Sequence, residues 1–186
     1  MRKNFGAKTL IYPQPVFIVA SYGEDGTPDA MNAAWGGVAG DNQIFLCLSP
    51  SHKTTENILS RKAFTVSMAD AAHVVECDYV GVVSANKVPD KLTKCGFHTT
   101  KSEFVDAPVI DELPLTLECR LISYDPETHH LFGKIVNVCA DESVLDESGK
   151  VCAAKLRPIT VDTVSHDYLV LGEKVGNAFK DGFTIK

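Results

Sequence analysis

The sequence predicts a mainly β protein, an antiparallel barrel decorated by a few helices. Three observations carry that prediction. Short β-branched and aromatic runs recur between turn signals, as in PVFIVASY at 15–22 before GEDG at 23–26. Residues 115–121 set Leu115, Leu117, Cys119 and Leu121 against Thr116, Glu118 and Arg120, the period of a half-buried strand. The βαβα alternation of a parallel sheet is missing, and hairpins follow one another directly.

The elements follow in order. Residues 15–22 form a first strand, and 27–35 return from the turn as the second arm of a hairpin. Gly36, Gly37 and Gly40 loosen the backbone before a third strand, QIFLCLS at 43–49, which Pro50 ends. Residues 54–62 predict a short helix capped by Ser51 or Thr54, with Ile58 and Leu59 turned inward. AFTVSMA at 63–69 is another strand, residues 71–79 a helix, and 89–95 one or two helical turns. The strand from Leu115 turns at 124–127 and pairs back over 129–138. An acidic loop follows at 141–150, then an extended stretch within 158–171 and a final helix at 174–179. No repeat or linker divides residues 1–186, so a single domain is expected.

Composition removes several function classes. The 186 residues are 45% apolar and 23% charged, with a net charge of −6 and no basic run, which disfavours a nucleic-acid partner. The first apolar run, 16–20, follows Pro13 and Pro15 and is too short for a signal or membrane segment, so a cytoplasmic protein without a membrane partner is expected. The six cysteines sit in apolar contexts without a CxxC and read as small buried hydrophobes. The six histidines show no metal-ligand spacing, so no metal site is expected. GxGxxG, GxxxxGK[ST] and GxSxG are all missing, and no side chain stands out as a catalytic nucleophile.

The chemistry concentrates at 31–58. Ser49-Pro50-Ser51-His52-Lys53-Thr54-Thr55 joins a strand to a helix start, where free N–H groups, the helix dipole, Lys53 and short hydroxyls meet an anion. The same residues also read as a plain helix start with a solvated lysine. One strand upstream, Asn32-Ala33-Ala34-Trp35 offers small residues over which a flat ligand reaches the backbone. Trp35 either stacks on that ligand or fills the barrel mouth. Ser84-Ala85-Asn86-Lys87 leads to Lys91, and either lysine could pair with a phosphate or an anionic ring, or simply be solvated. His129 and His130, adjacent on an extended segment, point to opposite faces, so one of them is free to approach a pocket.

Five segments in order, PVFIVASYGEDGTPDAMNAAWGG, LSPSHKTTENI, SANKVPDK, HHLFGKIVNV and YLVLGEKVGNAF, resemble the flavin reductase-like family of FMN-binding split barrels, and within it the flavoredoxin-type proteins. The resemblance implies a six-stranded Greek-key split barrel, a homodimer and an FMN cofactor near the subunit interface. It places Asn32, Ala33, Ala34 and Trp35 on the isoalloxazine. Ser49, Ser51, His52, Lys53, Thr54 and Thr55 would hold the ribityl phosphate. Ser84, Ala85, Asn86 and Lys91 would close the pocket, with His129 or His130 approaching it. Residues 163–166, where relatives carry an aromatic, read TVSH here, and nothing is carried over from them. The expected function is an NAD(P)H-dependent flavin reductase-like oxidoreductase. The alternatives are a flavoredoxin-type electron carrier with a redox protein partner, and a flavin-free or haem-binding split barrel.

Overall fold

The computed structural model describes residues 1–185. It opens on a hairpin of β1 (Phe17–Tyr22) and β2 (Pro28–Ala33), in register from Phe17 opposite Ala33 to Tyr22 opposite Pro28. The turn between them places Gly26 at φ +84°, and the Asp25 carboxylate accepts from Thr27 N and Oγ1, both at 2.9 Å. β3 (Gly36–Gly40), β4 (Gln43–Cys47), α1 (Lys53–Arg61), β5 (Ala63–Met68), α2 (Val74–Val82) and α3 (Lys91–Cys95) follow. After them come β6 (Thr99–Lys101), β7 (Pro108–Ile110), β8 (Leu115–Asp125), β9 (His130–Ala140), α4 (Ala153–Leu156), β10 (Ile159–Asp162) and β11 (Asp167–Val170).

The main sheet has seven strands in the order β2-β1-β5-β8-β9-β4-β3, every pair antiparallel. Its two outermost strands, β2 and β3, are separated only by Ala34 and Trp35. They are therefore two arms of one bent segment, and the sheet curls round until that segment serves both edges. Counted as chain segments the barrel has the six strands expected. The connection from β4 to β5 through α1 leaps from one side of the barrel to the other, the long link of a Greek key.

Alternation along β1 shows how the core is divided. Phe17 and Val19 point into the barrel with Met31, Leu46, Phe64, Val66 and Leu131. Val16, Ile18 and Ala20 point outward and are buried under α2, α3 and β10 by Cys77, Val80, Leu92 and Ile159. A strand covered on both faces carries a continuous apolar run, which is why 16–20 lacks a period of two. Cys77 and Cys119 are fully buried, and burial pushes both thiols up to about 12. The cysteines are all free.

Several expectations need correction. Gly36–Gly40 is a strand, not a loosened loop; a Cβ on Gly36 would lie 2.6 Å from Phe45 O, so glycine is what lets β3 approach β4. Thr116 and Glu118 do not meet solvent: they are 1% and 3% exposed. A cover lies over them, with Thr65 Oγ1 donating to Pro108 O at 2.6 Å, Ser67 Oγ paired with Thr116 Oγ1 at 2.7 Å, and the Asn137 amide donating to Glu118. α2 continues to Val82, beyond the expected end. Residues 174–179 form no helix; a 3₁₀ turn follows instead at Asp181–Thr184. Among the described residues no helix is long and apolar enough to cross a membrane.

Gly133 faces the fully buried Phe64 ring, and a Cβ there would overlap it. Gly133→Ala should destabilise the fold by about 1–3 kcal/mol through overpacking, read from the denaturant midpoint. An unchanged midpoint would show that the barrel interior has room to spare.

Candidate functional site

The first turn of α1 has no side-chain cap. His52, not Ser51 or Thr54, occupies the cap position in extended backbone, and the first helical bond runs from Glu56 N to His52 O at 3.1 Å. The N–H groups of Lys53, Thr54 and Thr55 thus sit at the positive end of the helix dipole without a side-chain acceptor. Thr55 Oγ1, in the same turn, is buried and without a hydrogen-bond partner. Ser49 Oγ and Ser51 Oγ lie 2.9 Å apart just before the helix. Lys53 is half-buried and paired with Glu56 at 2.6 Å on the same turn. The β8–β9 turn closes in from the other side, where Leu48 N donates to His129 O at 2.9 Å. Burial, then the charges of Lys91 and His129, hold the His52 imidazole below its ordinary 6.5, so it is neutral at pH 7.

A buried network braces this turn. Thr54 Oγ1 donates to Asp29 Oδ2 at 2.6 Å, and Lys91 Nζ lies 3.1 Å from Asp29 Oδ1. The same ammonium donates to Val80 O at 3.1 Å and Val83 O at 3.0 Å, the carbonyls ending α2. Lys91 is 3% exposed, so its donors are committed inside the protein. It ties β2, α1, α2 and α3 together, and the 84–86 loop follows directly from the end of α2 that it holds. Within that loop Ser84 Oγ accepts from Asn86 N at 3.3 Å, and Ala85 is half-buried.

Three residues further along β2, roughly 10 Å at strand rise, a second feature begins. Asn32, Ala34 and Trp35 line a cavity of about 300 Å³ together with Asp78, Thr163, His166 and Tyr168. Asn32 Nδ2 donates to Cys77 O at 3.1 Å and to Tyr168 OH at 3.4 Å; Tyr168 donates to Asp78 at 2.7 Å. Burial, then this bond to Asp78, pushes the Tyr168 phenol up to about 12, so it keeps its proton. Trp35 is 50% exposed and forms one wall.

The predicted residues therefore divide. Asn32, Ala34 and Trp35 gather at the cavity, while Ala33 turns into the barrel core. Ser49, Ser51, His52, Lys53, Thr54, Thr55 and His129 gather at the start of α1. His130 is turned away onto the Phe45 ring, with centroids 5.0 Å apart. Sequence reasoning missed Asp29, Asp78 and Tyr168. TVSH at 163–166 does reach the cavity through Thr163 and His166.

A family model described as the flavin reductase-like domain matches residues 9–157. The chain belongs to the flavin reductase-like domain family. Among solved structures, the flavoredoxin of Desulfovibrio vulgaris (Miyazaki F) is 36% identical with a TM-score of 0.93, covering 98% of this chain and 100% of that one. A flavoredoxin from Methanosarcina acetivorans is 26% identical with a TM-score of 0.89, covering 100% of both chains. An FMN-binding domain of a flavin reductases-like enzyme from Shewanella baltica shares the fold at 21% identity and a TM-score of 0.77, covering 90% of this chain and 91% of that one. The curled antiparallel sheet is thus the split barrel of the flavin reductase-like family.

A planar ligand with an anionic tail fits these residues. Uncapped N–H groups and the unpartnered Thr55 hydroxyl are donors waiting for an acceptor, and the Trp35 cavity lies along the same strand. Lys91 supports that arrangement by neutralising Asp29 behind the anion end. Lys91→Met should cost about 3–5 kcal/mol of stability in chemical denaturation, because it leaves a buried carboxylate uncompensated. Adding Asp29→Asn should recover most of that loss. A single variant as stable as the parent would show that the pair is not a brace.

Proposed function

We propose that the chain binds FMN across these two features and works as an FMN-dependent, flavin reductase-like oxidoreductase with NAD(P)H as electron donor. The observation that carries the reading is the uncapped first turn of α1, with its buried unpartnered hydroxyl, one strand-length from a Trp-walled cavity. The family supports it, and so does the FMN named for the Shewanella baltica relative. When bound, the group supplies one- and two-electron redox chemistry that no side chain here can supply.

The protein's own part is binding, orientation and electrostatics. The Lys53, Thr54 and Thr55 N–H groups, the Thr55 hydroxyl and the Lys53 ammonium hold the phosphate. The Lys91–Asp29 pair keeps a net charge from forming behind it. Asn32, fixed by Cys77 O and Tyr168, and the Trp35 indole would hold the ring at the cavity. Tyr168 holds its proton against Asp78 and presents a neutral donor–acceptor edge to the cavity. No residue need act as nucleophile.

A second reading, a flavoredoxin-type carrier passing electrons to a redox protein partner, is favoured by the 36% identity to flavoredoxin along nearly the whole chain. The visible spectrum of the purified protein separates the readings. Yellow protein that bleaches on anaerobic NADH or NADPH supports the reductase; yellow protein that bleaches only with dithionite supports the carrier. Protein that is colourless and takes up no added FMN contradicts both. Lys53→Ala should weaken FMN binding about tenfold, more than Trp35→Ala, because it removes a phosphate charge partner. Undiminished affinity in the Lys53 variant would remove that lysine from the phosphate site.

A further inference from the structure

Among the described residues, two apolar features on different sides of the barrel bear on each other. The first is the C-terminal segment 171–185. Val175, Phe179, Phe183 and Ile185 are 98%, 97%, 87% and 85% exposed. The segment nevertheless has internal order: Asn177 N donates to Asp181 Oδ2 at 2.8 Å, Asp181 N to Asn177 O at 3.1 Å, and Thr184 Oγ1 to Asp181 O at 2.7 Å. All of its hydrogen bonds close within the segment. A turn that presents two phenylalanines to water suits an apolar surface elsewhere.

The second feature is the outer face of β3–β4–β9. Phe45 and Phe132 stand opposite each other in register, ring centroids 5.5 Å apart, with His130 against Phe45. Gly37, opposite Phe45 on β3, leaves a bare shelf beside these two half-buried rings. Trp35 adjoins this shelf through Cys47 N, which donates to Trp35 O at 2.8 Å. The longer helices lie elsewhere, α1 against β1, β2 and β5 and α2 against β2.

The chain's own strap starts from the wrong side of the barrel. Leu171 leaves β11 beside Pro13, Pro15 and Val16, at the foot of β1. In the ring of six chain segments β9 lies opposite β1. A two-fold pair resolves this, because each copy then offers one strap and one face. We propose that residues 171–185 form an intermolecular strap that packs Phe179 and Phe183 on the β3–β4–β9 face of a second copy, beside that copy's Trp35. The partner's strap then walls the open side of the cavity at Trp35. This holds whether or not FMN is the ligand.

The test begins with a photo-crosslinking phenylalanine analogue at position 179 of the full-length, flavin-free protein. The expected product has the mass of a dimer, with the crosslink mapped to residues 36–47 or 130–132. Crosslinks confined to single chains, or a dimer product mapped elsewhere, overturn the proposal. Phe179→Asp with Phe183→Asp gives an independent measure, since neither residue supports the barrel. By sedimentation this variant should dimerise at least about tenfold more weakly with unchanged far-UV circular dichroism. Emission of Trp35, the only tryptophan, should shift to the red as it loses its cover. A parent protein that is monomeric at micromolar concentration, or a variant with unchanged association and emission, refutes the strap. Repeating the crosslink with FMN added separates this from the cofactor reading, which can fail alone.

Discussion

One segment, residues 28–40, has to serve as both edges of the same sheet. Everything else about the site follows from that constraint. β2 pairs with β1 and β3 pairs with β4, so the chain must bend sharply between them, and the bend is Ala34-Trp35. Curling the sheet in this way needs β3 to lie close against β4, which Gly36 permits. The bend leaves the Trp35 side chain half in solvent, lining the cavity under β10–β11. The same segment carries Asp29 to the start of α1. The bend of this one segment thus sets both the curl of the sheet and the placing of the two candidate-site features.

The electrostatics of the anion end are set by balance more than by accumulated charge. The chain is acidic overall, with a net charge of −6, and Asp29 lies buried directly behind the first turn of α1. Unbalanced, that carboxylate would oppose a phosphate in a medium that screens poorly. Lys91 cancels it from inside, leaving the helix dipole, the free N–H groups and Lys53 to act outward. His52, held neutral by burial and by two neighbouring groups, adds no charge. The Trp35 cavity combines the Asn32 amide, the Tyr168 phenol and the Trp35 indole with the Asp78 carboxylate that holds the Tyr168 proton.

The strands were legible where apolar, β-branched runs meet strong turn chemistry, as at β1, β2, β4 and β8–β9. Gly36–Gly40 was not, because glycine weakens strand propensity in general and here marks a close approach. Thr116 and Glu118 looked solvated because a period of two tells which side a residue is on, not whether that side is covered. Ser49 to Thr55 do come together at a helix start, as a run of hydroxyls and a lysine after a strand implies. Lys91 announced its charge but not its burial, and Asp29, beside a turn, announced nothing. Asp78 and Tyr168 come from a helix and a late hairpin, and only the fold brings them to Asn32. At 174–179 the apolar spacing mimics a helical face, but the backbone there closes turns around Asn177 and Asp181 instead.

The most direct measurement of the central claim is titration of the flavin-free protein with FMN and with riboflavin, which differ only by the phosphate. If the first turn of α1 is the anion site, FMN should bind at least about a hundredfold more tightly, the worth of one or two charge-assisted contacts. The preference should shrink in the Lys53→Ala variant. Equal affinity for the two flavins would mean that α1 holds no phosphate, and that the uncapped turn and the unpartnered Thr55 hydroxyl belong to some other ligand.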